Sequence, residues 1–420
     1  MLKFFRPRDH LFQWAGIVQQ STIKKLFSLD EFSPQDLSGL VDFCFPTEDP
    51  ISGPLSFVFR YRIGSSDCFV NSFCLLDQTS FQLKDLDTNQ QCCICLLSPF
   101  YHFDVYDDIL KIIRSLLLMN IASAESFLKV LYNSPQSISS IPSLSKLFTS
   151  NTPYDVMSST ISSYCFSFFD PQMIAQIVLA VISDTSIIAI SSDLSIVSQF
   201  CYSLLALIYP LKWYLIFTPI LPHRFTDSLM SPTPFIVGMH KIMSSVTSKL
   251  DIEQHVSIDL DQKKVIFNLP SDFQQWLIKE SSSVKMNTPN EYRGLIIKSI
   301  CSALSIPPST SPITTARRII SSFQSSSHEV NTFLFQVLHS RTLKTFFDAL
   351  NQKPISTEFL TMLSVGLNTS VPSPAVQNID EFPLRKHQVA RSSSYQFSSP
   401  TKNEEMRPSI SVSLLNEEAK

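Results

Sequence analysis

Apolar positions along residues 186–240 fall into short runs and one long amphipathic run, each ended by turn residues. Residues 186–190 (Ser-Ile-Ile-Ala-Ile) are β-branched and too short for a helix, and Ser191-Ser192-Asp193 closes them. Ser192 or Asp193 is placed to cap the next element. Leu194, Val197, Cys201, Leu204, Leu205 and Ile208 then recur at helical spacing, which predicts a helix with one buried face. Pro210 ends it, because a helix interior cannot take a residue without an N–H. Residues 213–218 and 234–239 predict two further strands, bounded by Pro219 and Pro234. A strand, a helical crossover and a strand predict a parallel pair buried on both faces. The rival reading is a membrane span over 200–221, which is long enough. Its eleven Leu, Ile and Phe residues favour insertion, by about 3 to 7 kcal/mol in total. Lys212 and Pro210 oppose it by about 3 kcal/mol each. The βα pattern uses both prolines as boundaries and is preferred.

The same reading along the rest of the chain predicts a first α/β module. Strands are expected over 11–18, 55–63, 68–76 and 91–98, with the second and third joined as a hairpin by Gly64-Ser65-Ser66-Asp67. Asp42-Phe43-Cys44-Phe45-Pro46 is a compact apolar run. Asp104 is expected to cap a helix whose apolar face is Tyr106, Ile109, Leu110, Ile113, Leu116 and Leu117. Residues 134–154, rich in Ser, Pro and Asn, read as a linker. Asp170-Pro171 opens a buried helix. After 239 a helical run to about 250 is expected, then a hairpin of 255–260 with 264–269. Helical spacing returns over 292–304, 313–325 and 328–350. Beyond Gly366 the composition is that of a disordered tail, in which Arg391-Ser392-Ser393-Ser394 is a weak phosphorylation motif.

Composition narrows the chemistry. The 420 residues exceed one ordinary core, so two or three domains are expected. A net charge of −3 and the absence of any long basic block, with Lys24-Lys25, Lys263-Lys264 and Arg317-Arg318 as isolated pairs, argue against nucleic-acid binding. The nine cysteines form no regular framework and suit a reducing cytoplasm. The N-terminus MLKFFRPRDH lacks the apolar core of a secretory signal. Of the seven glycines, none are spaced as G-x-x-x-x-G-K-[ST] or G-x-G-x-x-G, so neither common phosphate-cradling loop is present and no cofactor is expected. Cys92-Cys93-Ile94-Cys95 contains a C-x-x-C, but no second pair stands at zinc-ribbon spacing, and the run reads as a core strand. The eight histidines make no H-x-x-x-H or H-E-x-x-H pair; His223, in a loop after Pro222, is the one to watch. There is no G-x-S-x-G elbow. The carboxylate pairs Asp107-Asp108 and Asp259/Asp261 are explained by a helix dipole and a turn. No small-molecule active site emerges, and a protein partner is the remaining reading.

One family resemblance gathers these pieces. Ser191-Ser192, Tyr209-Pro210, Trp213, Pro219, Leu221-Pro222, Pro232, Pro234-Phe235-Ile236 and Gly238, in that order and closed by Asp259-Leu260-Asp261, resemble the central module of DENN-domain proteins. Phe43-Cys44-Phe45-Pro46, then Ile94-Cys95-Leu96-Leu97-Ser98 with Phe100-Tyr101 and Ile109-Leu110, resemble the upstream module. Residues 337–350, with Arg341-Thr342 and Phe346-Phe347, are weakly similar to the downstream module. The hairpin strand Cys68-Phe69-Val70-Asn71-Ser72 departs from the family by lacking its Tyr-Gly pair, which leaves the local hairpin packing open.

The resemblance implies an α/β fold: a longin-like α/β lobe (upstream module, 1–125), a linker (126–158) and a second α/β lobe with parallel strands (central module, 159–275). A smaller all-helical downstream module (276–366) and a disordered tail (367–420) complete the chain. It implies a guanine nucleotide exchange factor for a Rab-type small GTPase in membrane trafficking, which is cytoplasmic, has no transmembrane segment, and reaches membranes peripherally through its partner. Such a protein performs no covalent chemistry of its own. Pro222, His223, Pro232, Asp259 and Asp261 are the candidate GTPase-binding residues, from their place at strand ends. Two alternatives stay open. One is a GTPase-activating protein whose arginine finger, Arg60 or Arg62, would be worth about 10³ to 10⁵ in rate. The other is a non-catalytic effector or scaffold for the GTP-loaded form.

Overall fold

The structure is a computed structural model. It describes residues 10–62, 69–77, 86–144, 162–303 and 340–352, less short gaps within them, with 315–316 and 318–319. The expected turn at 64–67, Pro210, most of the linker, most of the helices expected over 313–325 and 328–350, and the tail lie outside these residues.

The first sheet is antiparallel throughout. Strands β1 (Trp14–Val18), β2 (Ile23–Ser28), β3 (Leu55–Arg62), β4 (Phe69–Asp77) and β5 (Cys92–Ser98) lie in the order β2-β1-β5-β4-β3. The hairpin β3–β4 is in continuous register from Leu55↔Leu76 to Arg62↔Phe69, so the missing Tyr-Gly pair does not disturb it. Central β5 is buried along its whole length, as its unbroken apolar run requires. Helix α1 (Leu40–Cys44) occupies the apolar run before Pro46.

Helices α2 (Phe103–Met119) and α3 (Ile121–Asn133) pack on this sheet. The Tyr106 hydroxyl anchors α2 by donating to the Leu11 carbonyl at 2.6 Å, and the Tyr106 ring stacks on Phe73 at 4.1 Å. Asp104 is not the cap. His102 holds that place without a side-chain bond, and Asp104 sits in the first turn, where the helix dipole favours its charge. Asn120 ends α2 and caps α3, accepting from Ser123 N–H at 2.8 Å.

The second sheet is mostly parallel. Strands β6 (Ser186–Ser191), β7 (Ile216–Thr218), β8 (Phe235–His240), β9 (His255–Asp259) and β10 (Lys264–Asn268) lie in the order β10-β9-β6-β8-β7. Strand β8 runs parallel to both β6 and β7, so the expected parallel pairing is there, but β8 separates the two strands that helix α5 (Leu194–Leu207) connects. Strand β7 begins at Ile216 rather than at 213, because the Trp213 indole N–H turns back to the Ile216 carbonyl at 3.0 Å. The expected hairpin is β9–β10. The run after β8 holds a short 3-10 turn and one helical turn, 241–247.

Asp170 caps helix α4 (Pro171–Ile182), accepting from Met173 N–H at 2.9 Å, and Asp193 caps α5. Helices α6 (Ser271–Ser281), α7 (Pro289–Ala303) and α8 (Arg341–Gln352) come after the second sheet. Asp184, at φ 53°, accepts from the Arg341 N–H and from the Thr342 hydroxyl (2.6 Å), and so caps α8 from the turn before β6. The segment weighed as a membrane span divides between α5 and β7, and among the described residues no helix is long and apolar enough to cross a membrane.

Candidate functional site

Three strand ends meet at the carboxyl edge of the second sheet. Parallel strands all deliver their following loops to one edge, which is why ligands of open α/β sheets gather there. Here β6 delivers Ser191-Ser192, β8 delivers His240-Lys241, and β9 delivers Asp259 to Asp261. Asp261 ties them together. Its carboxylate accepts from the Ser191 hydroxyl at 2.8 Å and from the Ser192 N–H at 3.0 and 3.2 Å. Lys241 Nζ stands 3.3 Å from Asp261 and 3.7 Å from Asp259. Burial pushes the Asp261 carboxyl up, but the Ser191, Ser192 and Lys241 donors outweigh it and hold the group below the usual carboxylate range. Asp259 in turn accepts from Gln262 N–H at 2.8 Å, closing the β9–β10 turn.

His240 completes the knot. Its Nε2 lies 2.8 Å from the Ser192 carbonyl and its Nδ1 accepts from Ile242 N–H at 3.3 Å, which requires the proton on Nε2. Gly238 lets the chain after β7 pass close to β8. The Leu221 N–H donates to the Gly238 carbonyl at 2.7 Å, and a Cβ at 238 would lie 2.1 Å from the Pro219 oxygen.

The 222–232 segment does something the sequence did not show. Pro222 is buried, so it offers no surface to a partner; Pro232 is exposed. Between them the 3-10 segment His223–Met230 leans on the first sheet's α1 region. The His223 N–H donates to the Pro46 carbonyl at 2.8 Å, and its Nδ1 lies 3.0 Å from Glu48. Arg224 stands 3.6 Å from Asp42, and the Phe225 ring lies 6.0 Å from Phe43. His223 is therefore a seam residue, joining the two sheets.

A second, deeper contact is made by α5. The Tyr202 hydroxyl donates to Asn71 Oδ1 at 2.7 Å, and Asn71 Nδ2 donates to the Phe100 carbonyl at 3.0 Å. The Tyr202 ring stacks on Tyr101 at 3.9 Å, and Ser198 Oγ accepts from the Val58 N–H at 3.3 Å. Arg60 is drawn into this contact. It is half-buried, and burial lowers its pKa while the nearby Tyr202 hydroxyl opposes the fall. Of the two arginines offered as a finger, only Arg62 is exposed, at the end of β3.

The fold thus brings Asp259 and Asp261 together, sends His223 to the seam, and separates Arg60 from Arg62 by environment. Sequence reasoning missed His240, Lys241, Asn71 and Tyr202. The first two were findable as polar residues at the carboxyl end of an apolar strand. Nothing local marks Asn71 and Tyr202, since their partner is 131 positions away.

Residues 89–263 match the family model described as DENN (AEX-3) domain, which runs from just before β5 to the β9–β10 turn. The chain is 25% identical over 261 residues to DENN domain-containing protein 1B of Mus musculus, covering 58% of this chain and 33% of that protein. It is 30% identical over 95 residues to DENN domain-containing protein 2A of Homo sapiens (23% of this chain, 9% of that protein). It is 37% identical over 83 residues to Elicitor of plant defense protein 1 of Gibberella zeae (20% of this chain, 7% of that protein). The match spans about a third of the length of the 1B relatives. The matched stretch takes in both the first sheet's central strand and the knotted edge of the second, and over it the chain is similar to DENN-domain proteins.

Proposed function

We propose that this chain is a guanine nucleotide exchange factor for a Rab-type small GTPase, the role generally held by DENN-domain proteins. The observation that carries the reading is the carboxyl edge of the second sheet, where Asp261 pins the ends of β6, β8 and β9 into one polar face within the matched region. Asp259, Asp261, Lys241 and exposed Pro232 are the residues assigned to GTPase contact, with His223 acting through the seam. A pinned edge suits the task, because exchange needs a rigid surface against which the GTPase deforms. A protein that binds the nucleotide-free GTPase more tightly must weaken nucleotide affinity by the same factor. Opening the segments that γ-phosphate and Mg²⁺ order is the route.

The test is capture of a panel of Rab-type GTPases in GDP-loaded, GTP-analogue-loaded and nucleotide-free states, followed by GDP-release kinetics on any partner found. Selective capture of a nucleotide-free form, with GDP release accelerated, is the expected result. Preference for the GTP form without faster release would replace the proposal with an effector role. Stimulated GTP hydrolysis, lost in Arg62→Ala or Arg60→Ala with binding kept, would replace it with GTPase activation.

A further inference from the structure

The thiols of the first sheet converge in a way their spacing along the chain conceals. Strand alternation puts Cys92 on one face of β5, where the Gln19 side-chain amide donates to its sulfur at 3.2 Å. Cys93 and Cys95 point to the other face, so the C-x-x-C pair Cys92/Cys95 is divided between the two faces. On the face of Cys93 and Cys95, β4 presents Ser72 and Cys74, with Cys74 directly opposite Cys95. Helix α1 brings Cys44 over the same point. The Cys44 and Cys74 sulfurs are 3.9 Å apart, and the sulfurs of Cys44, Cys74 and Cys93 all lie within 4.8 Å of one another. Cys44, Cys74, Cys93 and Cys95 are each 0% exposed.

Sulfurs bound at about 2.3 Å to one ion stand about 3.8 Å apart in a tetrahedral site and about 4.0 Å apart in a trigonal one. The Cys44–Cys74 edge already has that length. Cys95 lies closer, 3.3 Å from Cys74, and its sulfur is 2.8 Å from the Ser72 hydroxyl, the position of a second-layer group that orients a ligand. We propose that Cys44, Cys74 and Cys93 bind one soft, thiolate-seeking metal ion of the class of Zn(II) and Cu(I), with Cys95 and Ser72 as its supporting layer.

Binding exchanges three S–H bonds for three sulfur–metal bonds and releases three protons. With a divalent ion and Cys95 kept as a thiol, the filled site carries a single net negative charge, the least that three thiolates permit in a buried setting. Such a site would fasten α1 to β4 and β5. Helix α1 carries Asp42 and Phe43, which meet Arg224 and Phe225 of the second lobe, so the ion would stiffen the platform on which the seam rests.

The experiment refolds the full chain under anaerobic, reducing conditions with Zn(II) alone or Cu(I) alone, removes loose metal, and reads intact mass and metal content. The expected result is about one tightly held ion per chain, with the corresponding loss of protons in the mass. Cys74→Ser and Cys93→Ser should each lower retention at least tenfold, while Cys92→Ser and Cys201→Ser keep it. If the ligand variants do not fold, Co(II) loaded into the wild-type chain decides the matter by its intense thiolate charge-transfer absorption. A folded wild-type chain that retains neither metal, retention unaffected by Cys93→Ser, or a Cys74–Cys95 disulfide in the metal-treated protein would overturn the proposal.

Discussion

The two sheets build their surfaces in opposite ways. In the first, every neighbour is antiparallel, so successive loops alternate between its two ends and no end collects more than a share of them. In the second, β6, β7, β8 and β9 run one way, and their following loops gather at one edge, where Asp261 ties together those of β6, β8 and β9. The first sheet's distinctive chemistry is accordingly on a face, in the thiols beneath α1. The second sheet's is on an edge. Strand direction decides where polar residues can converge before any particular side chain is chosen.

The largest test of this contrast is Gly238→Ala. An antiparallel face can give way by tilting a side chain, but at the crossing of β8 and the chain after β7 the obstacle is the Pro219 backbone oxygen, 2.1 Å from the new Cβ. Urea unfolding should show a loss of about 3 kcal/mol or more, with the slope unchanged. Next is the seam, where Tyr202→Phe leaves Asn71 Oδ1 buried without its donor. The expected cost is about 2 kcal/mol. A double-mutant cycle with Asn71→Leu should recover part of it; strict additivity would mean that the two residues do not interact.

Asp261→Asn then probes the edge itself, at a cost of about 1 kcal/mol near neutral pH. The Asp261 carboxyl is held low in the folded chain, so its contribution is complete above the ordinary carboxylate value, about 3.9. It is lost as pH falls through the lowered value. The variant should therefore remove that portion of the acid limb of the stability profile, and an unchanged acid limb would show that Asp261 is not the titrating tie. The smallest effect is expected for Arg224→Ala, whose side chain is 76% exposed beside Asp42. A change in stability of about 0.5 kcal/mol or less is expected, since exposed ion pairs contribute little.

Legibility in the sequence followed the distance over which each feature is determined. Capping by Asp170 and Asp193 and the β9–β10 hairpin were readable because each rests on neighbours within a few positions. Helix α3 was missed because Asn120 is the only residue between it and α2, so two helices read as one apolar stretch. The insertion of β8 between β6 and β7 was invisible, because a local pattern states that strands are parallel but not which are adjacent. The candidate site divides along the same line. Asp259 and Asp261 were singled out from their place at a strand end, and the structure does put them there, whereas Pro222 was assigned to a surface it does not reach, since loop composition alone does not report burial. The thiol cluster was hidden for the most physical of reasons: its nearest sulfurs come from residues 30 and 21 positions apart, on different elements.

The covering of β3 by α5 also sets a schedule. Strand β3 is an edge of the first sheet, and the residue that takes up its Val58 N–H, Ser198, comes 140 positions later in the chain. A ribosome adding about 5 to 20 residues per second needs about 7 to 28 s to traverse that interval. For that time the nascent first lobe presents a raw strand edge to every other chain nearby. The length of chain between β3 and α5, rather than the stability of either lobe, then decides how long the newborn protein is open to mispairing.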